Sequence, residues 1–239
     1  MNKSGIQAIV VGLSLFAGDA ALSLTLTGNF GSNEYDNFGV PQALSNGAAN
    51  AGLLALTAKY DDGSTQSIDA YCVDLYQPFL QGKTYSFTEM PFGDGGMSLS
   101  LAQQRDIKNL FEIADPVSLD FGTEKHSAGL NLALWEIVYE TSGVYSLAND
   151  GGAFWVFADP NDPGNGEVEA ANFAASLLAQ ITPGAAAVSD NYNVRFLESA
   201  NHESQNLVTF TPVPLPAAGW ALVSALGALV LMRRKTRAA

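Results

Sequence analysis

One cysteine, Cys72, in 239 residues rules out an intramolecular disulfide, so the fold has to stand on its packed core. With only two histidines besides, the chain has no run of Cys and His ligands of the kind zinc sites use. Cations are scarce too: 11 Lys and Arg face 24 Asp and Glu, a net charge of −13. Such a polyanion repels phosphate backbones and acidic lipid, which excludes nucleic acid as a partner. Charged residues total 15% of the chain and hydrophobic residues 47%. That balance gives a chain of this length a substantial core, arranged in one or two domains. No internal repeat divides the body, and no long linker does either.

The ends of the chain carry what the middle lacks, long apolar runs. Met1 to Gly5 holds one cation, Lys3, and Ile6 to Phe16 is apolar, the size of a signal-peptide core. Small residues follow in "GDA" (Gly18 to Ala20) and "ALS" (Ala21 to Ser23), so residues 1–23 read as an export leader. At the other end Leu215 to Met232 is uncharged and apolar, near the lower limit for a spanning helix. Arg233, Arg234, Lys235 and Arg237 follow it and by the positive-inside rule stay cytoplasmic, which puts the body outside the inner membrane. A Pro-containing motif (Val213, Pro214, Leu215, Pro216), a spanning helix and a basic end together resemble the PEP-CTERM sorting signal, with Leu215 where the namesake motif has Glu. The resemblance covers residues 212–239. It implies processing by an exosortase, a transient anchor in the inner membrane of a Gram-negative cell, and a final place at the cell surface or outside it, associated with exopolysaccharide or biofilm.

Between the ends, residues 24–211 read as one α+β body, mainly an antiparallel β-sheet or sandwich with two or three packed helices. "LSLTLTGNF", "GLLALTAKYDDGSTQSIDAYCVDLY" and "KTYSFTEM" alternate apolar and polar residues as strands do, with "DDGS" as a hairpin turn. The period then changes. "SLSLAQQRDIKNLFEIA" puts Leu99, Ile107, Leu110 and Phe111 on one helical face, and "EKHSAGLNLALWEIVYET" does the same with Leu130, Leu134, Ile137 and Val138. Ser127 is the expected N-cap of that second helix. "GEVEAANFAASLLAQI" opens with acidic residues that suit the positive end of a helix dipole. "GAFWVF", "YNVRFLES" and "QNLVTFTP" return to the strand pattern.

Cys72 sits in one of those strands, and a lone strand cysteine is most simply a small buried hydrophobe. Its setting says more. "YCVD", followed some sixty residues later by "NLALWEIVYE", resembles the thioester domains of bacterial surface proteins. In that family a strand cysteine and a helix glutamine four residues before a tryptophan close an internal thioester with loss of ammonia, a stored electrophile for amines. Tyr71, Cys72, Asp74, Ala133 and Trp135 match the pattern; Asn131 stands where the family has Gln. The Asn amide lies one methylene nearer the backbone, roughly 1.5 Å less reach. The resemblance implies a shared architecture that brings Cys72 and Asn131 together, an adhesin that is covalent or degenerate at Asn131, and an amine-bearing surface ligand in the covalent case.

Other candidates rest on fewer residues. His126 and His202 read as surface positions, and nothing around Cys72 resembles a cysteine hydrolase. Asp159, Asn161 and Asp162, with Asn165 and Glu167, offer the oxygen donors calcium takes, although Asx-Pro-Gly runs also form plain turns. Phe154, Trp155 and Phe157 form either a sugar-stacking face or a strand with one side in the core. Glu136 and Glu140, four apart on a helix, read as a solvated face rather than a catalytic pair. No cofactor is implied. The sequence therefore points to a non-enzymatic, exported surface or matrix protein; the alternative is a secreted polysaccharide hydrolase working through two carboxylates in one groove.

Overall fold

The period-two segments pair into a barrel. A computed structural model describes residues 22–45, 47–77, 79–80, 82–90, 99–117, 124–148, 151–157 and 166–213. Residues 1–21 of the leader, Pro214, Leu215, Pro216, the stretch 215–232, the basic tail (Arg233, Arg234, Lys235, Arg237) and the calcium candidates Asp159, Asn161, Asp162 and Asn165 lie outside the described residues. Among the described residues no helix is long and apolar enough to cross a membrane.

Six strands carry the fold: β1 (Leu22–Gly39), β2 (Ala48–Tyr60), β3 (Thr65–Cys72), β4 (Thr84–Met90), β5 (Tyr192–Ser199) and β6 (Leu207–Pro212). All pairs are antiparallel, and the order β1-β2-β3-β6-β5-β4 closes on itself. The register can be walked around the circuit, since opposed residues share a face. Leu26 faces Ala58, Leu56 faces Ile68, Ala70 faces Thr209, Thr209 faces Arg195, Leu197 faces Glu89, and Phe87 faces Leu24. That face is the lumen: Leu54, Leu56 and Ala58 are buried while Ala55, Thr57 and Lys59, which alternate with them, are exposed. The expected α+β class holds, but the sheet is a closed barrel and not a sandwich. The 18-residue β1 pairs with β2 on one side and, over Leu22–Thr27, with β4 on the other, and β6 bridges β3 to β5, so the six strands close into one sheet.

The "DDGS" turn joins β2 to β3 by a short loop in which Gly63 takes φ +83°. Gly63 N–H donates to Tyr60 O at 2.9 Å. The left-handed angle then turns the chain back so that Tyr60 N–H donates to Ser64 O at 3.0 Å, and Asp62 Oδ1 accepts from Ser64 N–H at 2.8 Å. "GAFWVF" does not form a strand. It makes one bridge, Phe157 to Gly39, on the edge of β1 that its pairing with β4, which ends at Thr27, leaves open.

A helical layer covers part of the outer face. Short α1 (Gln42–Ser45) follows β1; α2 (Leu101–Ala114), α3 (Glu124–Tyr139) and α4 (Glu167–Leu178) come between β4 and β5. Ser100 and Gln103 form a reciprocal capping box that starts α2. Its apolar side buries Ile107, Leu110 and Phe111, and Phe111 packs against Tyr71 and Phe210 on the outside of β3 and β6. Its polar side is buried as well. Asp106 accepts from Tyr145 Oη–H and Gly184 N–H, Asn109 from Val188 N–H, and Glu112 from Ser189 and Tyr192, so a row spaced by three residues ties the approach to β5 onto the helix. Helix α3 is buried from Ser127 to Ile137, which makes it the centre of the helical layer. Ser127 is not its N-cap: the helix begins three residues earlier, and the hydroxyl turns to the barrel instead.

Candidate functional site

Four side chains spaced by four residues, Ser127, Asn131, Trp135 and Tyr139, form a stripe along α3. All four hydrogen-bond to backbone of β2 or of the segment at the end of β3. Ser127 Oγ accepts from Leu53 N–H at 2.7 Å, and Asn131 Oδ1 accepts from Gly52 N–H at 3.1 Å. Asn131 Nδ2 donates to Cys72 O at 3.0 Å, Trp135 Nε1 donates to the same oxygen at 2.9 Å, and Tyr139 Oη accepts from Leu75 N–H at 2.7 Å. The structure thus joins Cys72, Asn131 and Trp135 in one buried group. Asn131 and Trp135 are fully buried and Cys72 is 6% exposed.

Cys72 is the last residue of β3, opposite Leu207 on β6, on the same side of its strand as Ala70. Tyr71 points the other way, into the helical layer, with its ring 6.1 Å from Phe111 and 6.2 Å from Phe210. Burial pushes the Tyr71 phenol up. Ser127 lies close enough to moderate this, yet its Oγ already serves Leu53, and the Tyr71 hydroxyl makes no hydrogen bond of full geometry. Asp74 holds the next turn: its Oδ2 accepts from Asn206 N–H at 2.8 Å, while Val73 N–H donates to Asn206 O at 2.9 Å. Ala133 is buried in the helix interior of the group.

Chemically, the Asn131 amide is engaged at both ends by main chain. Its carbonyl holds a β2 amide and its NH₂ holds the Cys72 carbonyl, so the side chain works as a strut between strands. Thioester closure would expel that NH₂ as ammonia and leave Trp135 alone on the carbonyl.

The acidic face expected on α3 is buried instead. Glu136 and Glu140 do not face solvent: they are 0% and 7% exposed. Glu136 Oε1 accepts from Ser146 N–H at 2.6 Å, while Oε2 is buried without a partner. Burial, with the Glu140 charge adding to it, pushes the Glu136 carboxyl up to about 7. Glu140 goes the other way, held down by Ser142 N–H and assisted by Ala153 N–H. The pair anchors the loop after α3. Of the aromatic trio, Phe154 is buried against Trp135 and Tyr139, Trp155 is half-buried and Phe157 is exposed, so they share no face. His126 is half-buried with its ring 4.5 Å from Phe173, and His202 is exposed on a turn at Ala200–His202. Glu167 opens α4. Among the described residues no three His, Cys, Asp or Glu side chains gather as a metal site.

Tyr139 is the member of the stripe that motif reading missed. Its signal was the four-residue spacing of hydrogen-bonding side chains in an otherwise apolar helix. A second feature was also missed: a cavity of about 440 Å³ that begins two residues past Cys72, between Asp74, the start of α2, the end of α3 and the β5–β6 loop. Another, of about 360 Å³, opens at the polar end of the lumen, where Glu89 and Arg195 form an ion pair.

No family model and no curated protein matches the chain. Solved structures are similar to it, among them two from one bacterium. One is the N-terminal domain of the Streptococcus pyogenes pilus tip adhesin Cpa, 15% identical with a TM-score of 0.42, covering 78% of this chain and 99% of that one. The other is the N-terminal thioester domain of fibronectin-binding protein SfbI from Streptococcus pyogenes, 14% identical with a TM-score of 0.41, covering 76% and 93%. No residue role is carried over from either.

Proposed function

We propose that the chain is an exported, non-enzymatic surface or matrix protein whose buried Cys72 centre is non-covalent. The observation that carries the second half is the Asn131 amide, occupied at both ends by Gly52 N–H and Cys72 O. A side chain so placed contributes as an amide, and removing its nitrogen forfeits a buried hydrogen bond. The export half is supported by the two apolar ends and the basic tail, which suit an exosortase-sorted protein meeting exopolysaccharide outside the inner membrane. A polysaccharide hydrolase would need two carboxylates facing one groove; the larger cavity is lined by one, Asp74, and Glu89 in the smaller is paired with Arg195.

The test is the intact mass of the purified chain with and without methylamine. A mass equal to that of its residues and unchanged by the amine supports a non-covalent centre. A mass one ammonia lighter, rising by one methylamine on treatment, overturns it and makes the protein a covalent adhesin. Export is tested separately, by locating a tagged chain in surface and medium fractions of cells with and without exosortase. A tag retained in the cytoplasm overturns it.

A further inference from the structure

We propose that the 440 Å³ cavity beyond β3 is a binding site for a neutral saccharide. The volume lies in the range of small-ligand sites. At its rim Tyr76 is 63% exposed, a large aromatic surface left in water. The ring is not loose: Tyr139 meets it edge-on at 6.0 Å and 77°, which fixes its plane. A fixed, exposed aromatic face suits the C–H face of a pyranose ring. Deeper in, Ser204 is 2% exposed and its Oγ has no hydrogen-bond partner. Buried hydroxyls are seldom left so, and a ligand hydroxyl supplies what is missing. Asp74 adds an acceptor. The Tyr76 and Gln77 amides help hold its charge, but Oδ1 makes no hydrogen bond of full geometry.

The opposite wall is set by backbone that only a special conformation allows. His202 has φ +55°, a left-handed angle uncommon outside glycine, and the imidazole it presents lines the cavity beside Ser204. Aromatic face, unpartnered hydroxyl, carboxylate and imidazole together fit a ligand with one apolar side and many hydroxyls. A purely apolar ligand would leave Ser204 and Asp74 unsatisfied. Charge narrows the class: no Lys or Arg is among the described residues that line the cavity, Asp74 is there, and the chain carries −13, so a uronic-acid polymer is repelled.

The inference rests on the proposed extracellular location for where such a ligand is met, and on the cavity alone for its chemistry. The test titrates the full chain, kept in a detergent without a sugar headgroup, with short neutral oligosaccharides of glucose, galactose, mannose and N-acetylglucosamine. A uronic-acid oligosaccharide of equal length is the contrast. One of the neutral set is expected to bind, with Tyr76→Ala weakening it about tenfold, the worth of an aromatic contact, and Tyr76→Phe retaining it. Ser204→Ala is expected to weaken it as well, with the melting temperature of each variant showing that the fold is kept. Preference for the uronate, neutral binding indifferent to both Tyr76→Ala and Ser204→Ala, or no binding at all would each overturn the site. None of those outcomes touches the mass and localisation results, so the two proposals fail separately.

Discussion

At the scale of the residue, the Cys72 group turns on which atoms of Asn131 are used. If the amide is a strut, Asn131→Ala leaves Gly52 N–H buried and unpartnered and costs about 2–4 kcal/mol, one lost bond plus one desolvated donor. Cys72→Ala removes only a sulfur from a small pocket and is expected to cost about 1–2 kcal/mol. Urea midpoints of the two variants decide it: equal losses, non-additive in the double variant, would mean that a shared bond had been broken by either change. Glu136 offers a pH reading of the same core. Its carboxyl rises from the ordinary 4.5 to about 7 because the charged form is buried, with Oε2 unpartnered. The native state therefore holds a proton that the unfolded chain has released. The stability this contributes is complete below about pH 4.5 and is lost as the pH climbs through 7. Glu136→Gln is expected to raise stability at pH 8 by roughly 1–3 kcal/mol and to change little at pH 4.5. Denaturant titrations at the two pH values check it; a variant equally altered at both would show that the carboxyl's charge is not what matters.

At the scale of the element, the helices meet where side chains are smallest. Gly129 in α3 lies against α4: a Cβ there would stand 2.7 Å from Ala170 O and 2.8 Å from Phe173 Cδ1. On an exposed helix Gly→Ala stabilises by about 1 kcal/mol. Here the obstacle is backbone, which cannot step aside, and overpacking of about 1–3 kcal/mol reverses the sign. A lowered melting temperature for Gly129→Ala is the expected result, and a raised one would mean that α3 and α4 are not in that contact. Strands and helices were legible because period two and period 3.6 each leave a stripe of apolar residues, as in Leu54, Leu56 and Ala58 or Ile107, Leu110 and Phe111. What period could not convey was partnership. Ser127 looks like a cap when only its own helix is considered, and it serves Leu53 across the interface. Glu136 and Glu140 look solvated for the same reason, since the loop amides that bury them come from Ser142, Ser146 and Ala153. "GAFWVF" alternates like a strand but meets β1 only at Gly39, through a single bridge from Phe157.

At the scale of the whole molecule, closure is the property least visible in any one segment, because it depends on β1 spanning two partners and on β6 arriving beside β3 from the far end of the body. Closure also decides how the molecule comes apart. One apolar cluster runs from the lumen, at Leu24 and Leu56, through Trp135 and Ile137 of α3 to Ala174 and Leu177 of α4. With α3 buried by the barrel on one side and by α4 on the other, the lumen and the helical layer belong to one continuous core. Barrel and helices should then unfold together. Far-UV circular dichroism reports the helices, and Trp135 emission, in a chain with Trp155 and Trp220 replaced by Phe, reports the Cys72 carbonyl it bonds. Coincident urea transitions are the expected outcome. If helical signal is lost before Trp135 changes, the barrel stands alone and the α3 stripe is an attachment to it; if they move as one, the strut at Asn131 belongs to the element that holds both layers in a single cooperative unit.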